Sequence, residues 1–115
     1  MDSAIDAIFQ MLHEGSDIRE TRKAIAGLIV EQLEEGRDSF GHWEKAHFAN
    51  AIAALAWNMN SSDRSSQAWL RLCLVNVEKA LIPKDQRNEH YGRRYDQFDW
   101  LSVEQLLQSV RELGP

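Results

Sequence analysis

Residues 41–48, GHWEKAHF, put two histidines and a glutamate within six positions, flanked by Trp43 and Phe48. Histidine and carboxylate side chains hold metals and move protons, so their spacing decides which chemistry is open to them. A zinc-protease pair needs two histidines four apart on one helix face. His42 and His47 are five apart, which turns them about 140° away from each other on a helix. Glu44 and His47 have the Glu-x-x-His spacing of di-iron helix bundles, but such a site needs two of these elements, and the chain has no second one. His13 and His90 stand alone elsewhere. The expectation is therefore no metal site and no cofactor. Glu44 reads as a first-turn carboxylate favoured by the helix dipole and paired with exposed neighbours.

Other catalytic patterns are missing too. The chain has no Gly-rich phosphate loop, no G-x-S-x-G elbow and no H-x-E with a C-x-x-C pair. Cys73 lies in the apolar run WLRLCLVNV, where a thiol is a small buried hydrophobe rather than a nucleophile. Glu34 and Glu35 read as solvated acids at a helix end. No catalytic residue is assigned.

The elements that position these residues read as helices throughout. No sustained period-2 alternation and no Asn-Gly or Asp-Gly hairpin turn occurs. A first helix over 3–14 is capped by Ser3, carries the stripe Ile5, Ile8, Phe9, Leu12 and stops at Gly15. A second covers about 17–35, with Asp17 and Glu20 at capping-box spacing and Gly36 as its stop. A third runs from about Ser39 to Met59, and NSSD (60–63) is a turn. A fourth runs from about Asp63 to Ile82, halted by Pro83. Residues 83–100 form an irregular connection of balanced charge, with Tyr91, Tyr95, Phe98 and Trp100 expected to pin it to the bundle. The final helix, within 101–113, opens with a Ser102–Gln105 capping box and a Leu101–Leu106 staple. The expected fold is a single all-α domain over 1–115, a helical bundle of four to five helices.

Composition sets the class. An apolar fraction of 43% with 27% charged residues is that of an ordinary globular protein. A lone cysteine rules out an internal disulfide and fits a reducing compartment. The N-terminal residues MDSAIDAIFQML carry two aspartates and no base, which does not fit a secretory signal, and no apolar run reaches the length of a membrane span. Residues 1–36 hold eight acids against three bases and so carry the whole net charge of −5. That acidity argues against nucleic acid as a partner. Only the segment holding Arg87, Arg93 and Arg94 among tyrosines has the makings of a single-strand contact. The acidic third reads as a solvated face, or as a docking face for a basic partner.

The third helix is apolar on two opposed arcs. Phe48, Ile52, Leu55 and Met59 form one. Trp43, His47, Asn50, Ala54 and Trp57 form the other, with alanines between. Such a helix is either central in its own bundle or shared with a second chain. Trp57 is expected to be largely buried, Trp43 the more exposed ring, and Asn50 the boundary between core and surface. The functional expectation is a small cytoplasmic protein-interaction or regulatory protein without catalysis of its own. It would use Trp43, His47, Asn50 and Trp57 to bind a protein partner or to self-associate. The alternative is an enzyme or small-ligand binder whose pocket those four residues line.

Overall fold

A computed structural model describes residues 3–61, 63–87 and 101–114, leaving aside the side chains of residues 3 and 63–65. Among the described residues there are five α-helices, one 3-10 turn and no strand: α1 (Ser3–Glu14), α2 (Ile18–Glu35), α3 (His42–Met59), α4 (Asp63–Ala80), the turn Lys84–Gln86, and α5 (Val103–Leu113). The fold is an all-α helical bundle, as the periodicity predicts. The capping role of Ser3 and the pinning role of Tyr91, Tyr95, Phe98 and Trp100 lie outside the described residues, as do Arg93 and Arg94.

Local chemistry sets most helix ends. The Asp17 carboxylate accepts from the amides of Arg19 and Glu20, satisfying two donors that the start of α2 would otherwise leave open. The Ser102–Gln105 capping box starts α5. Gly15 follows α1 and Gly114 ends α5, both in the left-handed region that glycine adopts without strain.

Two boundaries differ from the sequence expectation. α3 begins at His42 rather than Ser39, because the Ser39 and Phe40 amides both return to the Gly36 carbonyl in a tight turn. That turn needs glycine at 36: a Cβ there would run into the Phe40 ring, which stacks on Phe48 with centroids 5.5 Å apart. α4 ends at Ala80 rather than Ile82, since Pro83 disfavours helical backbone at the residue before it.

One hydrophobic cluster takes residues from every helix: Ile5, Ile8 and Leu12 from α1, Ile25, Ile29 and Leu33 from α2, Phe48, Ile52 and Leu55 from α3, Leu70, Leu74 and Val77 from α4, and Val103, Leu107 and Val110 from α5. Fully burying a side chain of this size contributes roughly 1.5–3 kcal/mol. α3 and α4 pack together more extensively than any other pair. α5 lies against α2 and α3, and α1 against α2 and α4. Trp43 meets Lys79 and Asn58 meets Ser66, so α3 and α4 run antiparallel. The ion pairs Arg37–Glu104 and Arg111–Glu34, both 3.0 Å, tether α5 to α2 and its following turn, but they are exposed and contribute little.

Candidate functional site

All four residues that the sequence singles out lie on α3, and the structure divides them. At the N-terminal end of α3, Trp43 packs edge-on against His47, with ring centroids 4.6 Å apart. The Trp43 indole N–H donates at 3.0 Å to the Lys79 carbonyl in the last turn of α4, which also accepts from the Ile82 amide at 3.2 Å. Arg87, just past the 3-10 turn, closes over this end. Its guanidinium lies 5.3 Å from the centroid of the Trp43 ring, its Nε donates to the Ile82 carbonyl at 2.8 Å, and its Nη2 pairs with Glu44 at 3.3 Å. Glu44 is thus not paired with exposed neighbours, as its first-turn position suggests. Its partner comes from beyond α4 and the pair is shielded from water.

His47 is 6% exposed. Burial is the main force that pushes its imidazole below the ordinary value of 6.5, and the cationic Lys79 and Arg87 add to it. Asn76 opposes them. Its Nδ2 donates to the Leu72 carbonyl at 2.9 Å, which leaves its carbonyl oxygen as the group that favours the protonated ring. The result is a neutral imidazole at neutral pH, shielded from solvent and built into the helix seam. Cys73, also on α4, is fully buried with its thiol pushed up to about 12 by desolvation, which removes it as a nucleophile. Among the described residues no three His, Cys, Asp or Glu side chains converge as metal ligands would.

At the other end of the seam Trp57 stacks on Trp69, centroids 5.8 Å apart and planes 17° from parallel. Trp57 is 62% exposed, and Leu72, three residues after Trp69 on α4, is 46% exposed. Asn50, between the two ends, is exposed. The expected order of the rings is therefore reversed: Trp57 is the exposed one and Trp43 the half-buried one. The reason is Asn58. Its side chain takes the inward position, accepting from Arg22 Nε at 2.8 Å and donating to the Ser66 carbonyl at 2.8 Å. On a helix one residue is about 100°, so an inward Asn58 turns Trp57 outward.

The structure thus brings together Trp43 and His47, sets Asn50 on the surface, and leaves Trp57 apart from them, against Trp69. Sequence reasoning missed Asn58 and Asn76, although a single amide inside an apolar helical run is itself a signal of a buried hydrogen bond. It missed Arg87 as a partner of Glu44 because nothing in the local pattern links them. No protein-family model matches the chain, and no solved structure matches it significantly.

Proposed function

We propose that the protein is a small cytoplasmic interaction or regulatory protein, without catalysis of its own, that engages a protein partner through the exposed end of the α3–α4 seam. The observation that carries this reading is the Trp57 ring, 62% exposed and stacked on the half-buried Trp69. Single exposed apolar residues are ordinary, but an exposed indole stacked on a second, half-buried one carries apolar surface across the α3–α4 seam, and extended apolar surface marks contact sites. Tryptophan in particular concentrates at the energetic centres of protein interfaces. A pocket lined by Trp43, His47, Asn50 and Trp57 together loses support, because the first two and the last sit at opposite ends of the seam. No described helix is long and apolar enough to cross a membrane.

The test is affinity capture from native lysate with the wild-type chain and with Trp57→Ala as baits. The reading expects a discrete partner, the chain itself included, that the variant fails to retain. Identical retention by both baits contradicts it.

A further inference from the structure

The surface around Trp57 has two further properties. First, its α3 part is free of charge: between Lys45 and Asp63 the chain has no Asp, Glu, Lys or Arg, and the outward residues of α3 in this stretch are alanines, asparagines and Trp57. Second, it is two-sided. Taking Ala53 as the outermost point, Trp57 projects about 40° to the α4 side, while Ala49, Ala56 and Ile52 lie about 40–100° to the other. There they form, with Leu106 and Leu113 of α5, an apolar groove of about 490 Å³. A projecting indole and an apolar groove therefore flank the same helix face.

We infer that the occupant of this surface is a second copy of the chain, with the two α3 helices side by side and parallel and each Trp57 seated in the other copy's α3–α5 groove. The inference rests on the reading of the Trp57 face as an interaction surface, and it names the partner. Three features support it. A two-fold interface must be self-complementary, the same patch supplying both halves of each contact. A two-fold axis parallel to the helices exchanges left and right, so it sets projection against groove twice; an antiparallel pair would set indole against indole and groove against groove. The groove also suits an indole. Its walls are apolar, while the Ser109 hydroxyl and the Glu112 carboxylate also line it and supply the acceptors that a buried indole N–H requires. Finally, each copy carries −5, all of it net from residues 1–36, so copies repel through those elements. Among the described residues α1 does not pack against α3 and α2 does so only lightly. A contact centred on the uncharged outer face of α3 keeps the two acidic regions apart.

Sedimentation velocity over a range of concentrations tests this. The wild-type chain should self-associate, and Trp57→Ala and Ser109→Arg should each weaken association about tenfold or more, the scale of losing a buried anchor. An equimolar mixture of the two variants should associate more tightly than either alone, because one intact indole and one intact groove meet in the mixed pair. Parallel packing is read separately from Asn60→Cys. Asn60 is exposed at the end of α3, so the introduced thiols of the two copies face each other and oxidation yields a disulfide-linked dimer, while buried Cys73 stays silent. A chain that stays monomeric at every concentration overturns the inference, as does a dimer indifferent to both substitutions or one in which Asn60→Cys does not cross-link. If a monomeric chain still captures a partner that Trp57→Ala loses, the interaction reading stands and only the identity of the occupant falls.

Discussion

Arg87 Nη2 stands 3.3 Å from Glu44 Oε2, the two side chains 14% and 12% exposed, and so the turn after α4 is fastened to the first turn of α3. Removing one member of a shielded pair strands the other charge, at a cost of about 3–5 kcal/mol. Arg87→Ala should reach that range in urea denaturation, since it also gives up the Ile82 carbonyl and the Trp43 ring. The Arg87→Ala, Glu44→Ala double variant should cost clearly less than the two single changes together. Simple additivity would show that the two groups are not coupled.

His47 makes stability depend on pH. Its folded-state value lies below 6.5, so below pH 6.5 the unfolded chain takes up the proton more readily than the native one. The stability that neutral His47 supplies is full above pH 6.5 and is lost as the pH falls from there to the depressed native value, at no more than about 1.4 kcal/mol per pH unit. His47→Gln should flatten this part of the stability profile. An unchanged slope in the variant would assign the acid sensitivity to other groups.

Asn58 is 1% exposed and joins three helices through Arg22 and the Ser66 carbonyl. Asn58→Ala leaves a buried carbonyl without this donor and removes a charge-assisted bond, for about 2–4 kcal/mol in all. Arg22 is only half-buried, so water can replace its guanidinium, and Arg22→Ala should cost less than half as much. Equal losses in chemical denaturation would contradict this division of roles.

The helices themselves were largely legible in the sequence. Asp17, Gly36, Pro83 and the Ser102–Gln105 pair mark helix ends by local chemistry, and the stripe of α1 names its buried residues Ile5, Ile8 and Leu12. The start of α3 was not legible, because it depends on Phe40 folding back over Gly36 onto Phe48. At the site, the wheel of α3 groups Trp43, His47, Asn50 and Trp57 on one arc, which holds for the backbone. It cannot say which part of that arc faces inward. That was settled by two tertiary partners: Arg22 and Ser66 draw Asn58 inward at one end, and Arg87, arriving from 43 positions beyond Glu44, closes the other. Hydrophobic periodicity carries no information about either.

Trp57 should prove almost dispensable for folding. Its ring is mostly in water, and the stack on Trp69 is worth about 0.5–1.5 kcal/mol. Trp57→Ala should stay within that loss in urea, whereas a core tryptophan would cost about 3–5 kcal/mol.

The central claim is that the exposed end of the α3–α4 seam makes the protein's contact. Its most direct test is a photoreactive phenylalanine derivative placed at position 57 and activated in living cells, with the same group at exposed Glu31 of α2 as the control. The account predicts a discrete covalent adduct, to a second copy or to another protein, from position 57 in clear excess over position 31. Adduct yields at position 57 no higher than those at position 31 would contradict it.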